Sequence, residues 1–297
     1  MTDLAAEDVQ SAPLATTAEL VDEMRNGRMV VLVDAEDREN EGDLIIPAQM
    51  ATPDAVNFMA RYGRGLICLA MTRDRASDLG LSEMVRTNQS RNRTAFTQSI
   101  EARDGISTGI SAHDRALTIA TAIDPTKGSD AIVSPGHVFP LIARDGGVLI
   151  RAGHTEASVD LARMAGLNPA SVICEIMNDD GTMARLPDLK IFARRQGLKI
   201  GTIEDMIAYR LRHDRIVTQV METTVRSAYD DEFRMHVYET NVDPAEHIAL
   251  VKGDLSGPGP VLVRVHAVNV LTDLAGIGSD AECCLVEQSL RAITAEG

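Results

Sequence analysis

The sequence predicts an α/β chain, of the α+β kind: a mixed sheet flanked by helices up to about residue 213, then a small β-rich region. Three observations carry this. Short apolar, β-branched runs alternate with helically spaced stretches through residue 213. Beyond Arg215 the helical spacing gives way to four strand-like runs separated by polar or Gly/Pro turns. The chain has 297 residues, 44% hydrophobic and 25% charged, enough for about two globular domains. With aromatics at 3% and no Trp, the core must be aliphatic, rich in Ala and Met.

Residues 1–16 read as a flexible tail. Thr17 is placed as the cap of a helix on which Leu20, Val21 and Met24 share a face, ended by Gly27. Met29 to Val33 reads as a buried strand, and Leu44 to Pro47 as a second. Thr52-Pro53 opens a helix with Pro at its first position. Leu66 to Met71 is a further strand. Val148 to Ile150 reads as a strand that turns through Arg151–Glu156 into a helix ended by Gly166. After the boundary near 214, strands are expected over 216–225, 233–240, 248–252 and 261–266, and a helix over 284–293. This last region carries 6 Lys+Arg against 14 Asp+Glu, so it is the more acidic per residue.

A formal net charge of −15 argues against a nucleic-acid groove, which needs basic patches. No apolar run is long enough to span a membrane, and the N-terminus has neither the basic start nor the apolar run of a signal peptide. Cys68, Cys174, Cys283 and Cys284 make no secreted-type framework and are expected as reduced thiols in a cytoplasmic protein.

The segment Asp34 to Asp43 puts six carboxylates in ten residues between two apolar strands. Such a run is ordinarily a solvated loop. Here strands pin both ends, and Arg38 and Gly42 suit an anion and a tight bend. Carboxylates at this density repel unless a cation or proton relieves them, and a hard divalent cation is the natural partner. An EF-hand is excluded, because Ala48 stands where its last carboxylate belongs and strands flank the loop.

The Arg151-Ala152-Gly153-His154-Thr155-Glu156 turn offers backbone N–H groups at a helix start, a guanidinium for phosphate, and an imidazole for a metal or a proton. Ser107-Thr108-Gly109 is a small, hydroxyl-bearing turn. Pro135-Gly136-His137 holds a histidine between rigid turn residues, which suits acid–base work. Glu175 lies in an apolar run and must be paired or functional. Cys68, similarly placed, is equally well read as a small buried hydrophobe.

Together these segments resemble the 3,4-dihydroxy-2-butanone 4-phosphate synthase family, over about residues 17–212. The blocks are Asp37–Asp43, Ser107–Gly109, Pro135–Pro140, Arg151–Glu156 and Asn178–Met183. The resemblance implies a sheet flanked by helices of that family's type. It implies conversion of D-ribulose 5-phosphate to the four-carbon phosphate and formate with Mg²⁺ (or Mn²⁺). By resemblance Glu39 and His154 are the metal ligands. Substrate contacts would come from Arg38, Glu39, Asp43, Thr108, Arg151, Ala152, Gly153, His154, Thr155 and Glu175. His137, Glu175, Asp43, Glu41 and Cys68 would serve the chemistry. The family also implies a homodimer with the site near the subunit interface. The partner is then a small sugar phosphate, with no nucleic acid and no membrane.

Residues 214–297 resemble the start of GTP cyclohydrolase II, through His247–Asp254 and Val261–His266. That enzyme's zinc needs a Cys soon after the latter His and a spaced Cys pair. Here Ala267-Val268-Asn269 supplies no thiol, and Cys283 and Cys284 are adjacent. The expectation is a partial domain without zinc or GTP hydrolysis. The alternatives are a bifunctional enzyme that also hydrolyses GTP, or a non-catalytic assembly scaffold.

Overall fold

Val30-Val31-Leu32-Val33 buries every side chain, so this strand, β1 (Val30–Val33), must lie inside a sheet covered on both faces. In the computed structural model, which describes residues 13–228, 230–240, 242, 245–273, 275–278 and 285–296, it does. It pairs antiparallel with β2 (Gly42–Pro47) and parallel with the strand Lys199–Thr202. Between them along the chain lie β3 (Cys68–Met71), β4 (Ile100–Ala102), β5 (Ile132–Ile142) and β6 (Ala170–Glu175), making Lys199–Thr202 β7. Among the described residues these form one mixed sheet of seven strands in the order β4-β5-β3-β6-β2-β1-β7.

Side-chain alternation splits the core in two. On one face Val30, Leu32, Ile45, Cys68 and Ile173 pack against α1 (Thr17–Arg25), α5 (His154–Met164) and α7 (Ile203–His213). On the other, Val31, Leu44, Leu69, Val172 and Cys174 pack against α2 (Pro53–Phe58), α4 (Ala112–Ile123) and α6 (Leu186–Gln196). The remaining helix of this unit, α3 (Arg73–Asp78), lies on the same side through Ala76. Cys68 and Cys174 are both buried free thiols, on opposite faces.

Several local expectations are revised. The cap of α1 is Thr16, not Thr17: its hydroxyl accepts the Glu19 N–H (3.3 Å) and the Glu19 carboxylate accepts the Thr16 N–H (2.9 Å). Leu14 and Ala15, which the sequence leaves in the tail, belong to the fold: Leu14 packs on the core and Ala15 N–H donates to Ile200 O (2.8 Å). Pro135-Gly136-His137 is not a turn but part of the long strand β5. Val148 to Ile150 is not a strand; Gly147–Leu149 is one turn of 3₁₀ helix. Gly146 and Gly147 take left-handed backbone (φ 86° and 65°), and the Val148 N–H is captured by buried Asp160 (2.9 Å) instead of a neighbouring strand. Arg210 of α7 binds the same Asp160 carboxylate (2.6 Å) and the Gly146 carbonyl (2.8 Å).

The chain divides into two compact units, Met1–Asp214 and Arg215–Gly297. In the second, β8 (Val217–Ser227), β9 (Asp230–Thr240) and β10 (Glu246–Val251) form an antiparallel sheet in the order β10-β9-β8. Two helices, α8 (Val270–Asp273) and α9 (Leu285–Glu296), follow. The strand expected over 261–266 is absent; its side chains stand out to solvent, Val265 at 87%, and no described strand offers it a ladder. Cys283 and Cys284 lie outside the described residues.

Arg210→Met leaves Asp160 without its guanidinium. It should lower stability to chemical denaturation by about 3 kcal/mol, the low end for breaking a buried pair because Arg163 and the Val148 N–H still face the carboxylate. A loss under about 1 kcal/mol would show that the pair does not hold the turn.

Candidate active site

The acidic loop between β1 and β2 is organised by its own first carboxylate. Asp34 is buried; its Oδ1 accepts the Glu41 N–H (2.8 Å) and its Oδ2 accepts the Glu39 N–H (3.0 Å) and an Arg38 guanidinium N–H (2.8 Å). Arg38 also contacts the Glu39 carboxylate. Arg185, at the start of α6, donates to the carbonyls of Glu39 (2.9 Å) and Asn40. Gly42 closes the loop where any side chain would run into Leu189 of α6. The loop is thus tied from within and from behind, and Glu39 is left facing α5.

Helix α5 brings the other half. Its N-cap, Gly153, has no side chain to satisfy the first helical N–H groups, and the guanidiniums of Arg38 and Arg151 both lie against its Cα. His154, the first helical residue, is buried. Its Nε2 meets the Leu32 carbonyl (3.2 Å), which can only accept, so Nε2 carries hydrogen and Nδ1 is the nitrogen that could serve as a ligand. That nitrogen faces Glu39 Oε2 (3.7 Å) and Asp43 Oδ1 (3.9 Å). One ligating atom each from Asp34, Glu39 and His154 lies within 4.8 Å of the others.

Crowding sets the protonation. For His154 burial opposes the charged ring, but the Asp43, Glu39 and Asp34 carboxylates outweigh it and raise the pKa to about 9. Glu39 is lowered to about 2 by His154, against its burial, with help from Arg38 and Asn92. Burial raises Asp43 to about 7, with the charges of Glu175, Glu39 and Glu41 adding to it and His154 opposing. Glu41 is pushed up by burial and by Glu39 and Glu175. The Cys68 thiol is pushed well up by burial, which keeps it protonated. Buried Asp43 Oδ1 has no hydrogen-bond partner. Two hard carboxylates and one imidazole, with a further unpartnered carboxylate oxygen beside them, fit a divalent cation that retains open positions.

The β2–β6 register sets Asp43 opposite Glu175, whose Oε2 accepts the Leu66 N–H (2.8 Å). Gly65 has no room for a side chain against the same Glu175. Arg151 is anchored in place: it pairs with buried Glu156 (2.6 Å) and donates to Asn92 O (3.0 Å) and Thr94 Oγ1 (2.9 Å). Thr155 is buried one residue into α5. Ala152 is exposed just before the helix.

Two of the expected residues lie elsewhere. Cys68 pairs with Phe139 on one side and Ile173 on the other. His137 belongs to β5, which stands three strand spacings, about 14 Å, from the β2 that carries Asp43. His137 contacts Glu101 of β4, and Gly109, next to exposed Thr108, packs directly on both. One chain therefore carries two groups: Glu39, Asp43, His154 and Glu175 in one, Thr108 and His137 in the other.

Sequence reasoning missed Asp34, Asn92, Arg185 and Glu101. Asn92 Nδ2 donates to Glu39 Oε1 (2.7 Å) while its carbonyl accepts from Arg151, so it bridges the two halves. Asp34 was visible as the first acid of the loop, though nothing there separates it from its neighbours. The other three stand in no recognisable pattern.

Comparison with known proteins is consistent with this geometry. The family model for 3,4-dihydroxy-2-butanone 4-phosphate synthase matches residues 18–209, and that for GTP cyclohydrolase II matches residues 218–297. The 3,4-dihydroxy-2-butanone 4-phosphate synthase of Pseudomonas syringae pv. tomato is 53% identical over 258 residues, covering 87% of this chain and 70% of its own. The riboflavin biosynthesis protein RibBA of Aquifex aeolicus is 53% identical over 254 residues, covering 85% of this chain and 62% of its own. Among solved structures, RibBX of A. baumannii, a two-domain 3,4-dihydroxy-2-butanone 4-phosphate synthase, superposes with a TM-score of 0.81 at 45% identity, over 94% of this chain and 80% of its own. A synthase in complex with two magnesium ions superposes at 0.65 with 42% identity, over 68% of this chain and 99% of its own.

With His154 raised to about 9, a cation must displace its proton at neutral pH. Mg²⁺ affinity should therefore rise about tenfold per pH unit from 6 to 9, flatten above 9, and release close to one proton per ion at pH 7. Calorimetric titration in two buffers of different ionisation enthalpy reads the proton; release of none would remove His154 from the ligand set.

Proposed function

The chain belongs to the 3,4-dihydroxy-2-butanone 4-phosphate synthase family, and from that membership we propose how its residues convert D-ribulose 5-phosphate to L-3,4-dihydroxy-2-butanone 4-phosphate and formate, a lyase reaction of riboflavin biosynthesis. The observation that carries the reading is the buried meeting of Glu39, His154 and Asp34 beside Asp43. A divalent ion held there by Glu39 and His154, Mg²⁺ or Mn²⁺, supplies electrophilic stabilisation of the oxygens that gain negative charge during enolisation and formate loss.

The protein groups divide the remaining work. Exposed Ala152, just ahead of α5, and the guanidiniums of Arg38 and Arg151 at Gly153 suit the phosphate, with Gly153 and Thr155 completing that turn. Asp43, buried and with an oxygen that has no hydrogen-bond partner, is the group placed to carry a proton to and from carbon. Glu175 and Glu41, beside it, orient the substrate hydroxyls. Cys68, a neutral thiol beneath them, shapes the floor. Asp34 keeps the loop closed so that Glu39 does not have to be ordered at each turnover.

Thr108 and His137 complete the site from a second copy of the chain, giving a homodimer with the site at its interface. This is supported by their separation from Asp43 and by the exposed apolar residues near both groups, Leu66 (41%), Ile110 (54%) and Ile150 (46%). The domain assignment follows: residues 17–213 catalyse, and 214–297 form a partial GTP cyclohydrolase II-like domain that hydrolyses no GTP. Supporting the latter, Ala267 follows His266 where that enzyme's zinc would need a thiol nearby, and His266 is occupied by Asp273 (2.9 Å).

Formate release from ribulose 5-phosphate should require Mg²⁺ or Mn²⁺ and vanish with EDTA, while GTP is untouched. Turnover of GTP with bound zinc would establish the bifunctional reading instead. Glu39→Gln and His154→Ala should each lower kcat/KM at least about 100-fold with the fold intact. Asp43→Asn should lower kcat by about 100-fold or more. Near-normal turnover in Glu39→Gln would remove the metal assignment, and in Asp43→Asn the proton-transfer role.

A further inference from the structure

We propose that Glu101 is a positioning residue for His137, holding its imidazole in the tautomer whose Nε2 is free to take a proton. The proposal rests on the reading that His137 takes part in the reaction.

Glu101 sits on β4 with its side chain only 15% exposed, and its Oε1 meets His137 Nδ1. A carboxylate oxygen accepts. Nδ1 must therefore carry the hydrogen, and the neutral ring presents the bare lone pair of Nε2 outward. His137 is 44% exposed, so solvent would have satisfied Nδ1 without a protein partner.

The backbone is shaped around this pair. The β4–β5 register breaks at Glu101: Ile100 pairs with Val138, but Glu101 pairs with Val133. Residues 134–137 of β5 therefore have no ladder partner on β4, and the irregularity falls where Glu101 meets His137. Gly109 takes φ 88°, and a side chain on it would collide with the Glu101 carboxylate and His137 Nδ1. A side chain on Gly136 would collide with the Ile100 backbone and Glu101 Cγ. Two glycine backbones thus close on the pair and leave the carboxylate little freedom to turn away. Gly109 also follows Thr108, so the same packing sets the distance from the histidine to the Ser107–Gly109 turn. Asp114 holds that turn by accepting from Ser107 Oγ (2.8 Å) and the Gly109 N–H (3.1 Å).

The test uses the full chain with Mg²⁺ and ribulose 5-phosphate. Glu101→Gln keeps an acceptor for Nδ1–H but loses the charge; Glu101→Leu loses both. We expect kcat to fall about tenfold in the first and about 100-fold in the second. KM should stay within about threefold in both, since Glu101 does not touch substrate. In protein labelled with ¹⁵N-histidine, His137 should show the Nδ1–H tautomer in the wild type and lose it in Glu101→Leu. Adding Glu101→Leu to His137→Gln should cause no further loss, because Glu101 acts only through the ring. Glu101→Gln, nearly isosteric, carries the test if Glu101→Leu fails to fold. Full turnover in His137→Gln would overturn the reading of His137 itself. An inactive His137→Gln with wild-type turnover in both Glu101 variants would overturn the Glu101 proposal alone. A KM effect without a kcat effect, or additive losses in the double variant, would also overturn it by pointing to a structural role.

Discussion

Carboxylates forced together out of water repel, and the first unit is organised around containing that repulsion beside one imidazole. Asp34, Glu39, Glu41, Asp43 and Glu175 gather from a loop and two strands around His154 at the start of α5. Each tie already described serves this end. Asp34 spends its oxygens on backbone N–H groups of its own loop. Arg185 pulls two loop carbonyls back toward α6. The Leu32 carbonyl fixes the ring, so the ligating nitrogen faces the acids. Residual stress appears as displaced protonation, with His154 raised and Asp43 held near neutrality. A divalent cation placed among these groups would relieve that stress.

The same arrangement explains why the buried sheet matters to chemistry. Strands β2 and β6 are covered on both faces, so their register cannot slip without moving every apolar side chain to the wrong layer. That register is what sets Asp43 opposite Glu175. The Asp160–Arg210 pair does the equivalent for α5: it pins the turn that delivers Arg151 and His154, so the helix start cannot drift from the acidic loop. The binding turn is built from weak local preferences and held by strong buried ones.

The second unit lacks such constraints among its described residues. Strand β8 is exposed along most of its length, and the run 261–266 forms no regular element. Its sheet is a three-stranded antiparallel one, and Phe233 and Val237 are its buried apolar residues. The physical contrast with the first unit, where two apolar layers sandwich the sheet, matches the division of labour proposed for the two.

Much was legible from sequence alone. Period and composition placed β1, β2, α1 and α2 to within a few residues, because an aliphatic core leaves a strong periodic signal. The dense motif blocks drew attention to Glu39 and His154, which the fold brings together. Other features needed the tertiary structure. Val148 to Ile150 is apolar enough for a strand, but a carboxylate from α5 takes the Val148 N–H and an arginine from α7 holds the Gly146 carbonyl just before it, and no pattern within the run records that. The run 261–266 has strand composition, but strand formation requires a neighbour, which is not a local property. Six acids in one loop look alike in sequence; burial and backbone N–H groups single out Asp34 as the organiser. Glu101 has no motif, and only the pairing of β4 with β5 and two close glycine backbones set it against His137. The sequence by itself determined the strongly periodic elements and which residue types gather. Tertiary packing decided which atoms meet and at which protonation, because burial and proximity between distant segments control both.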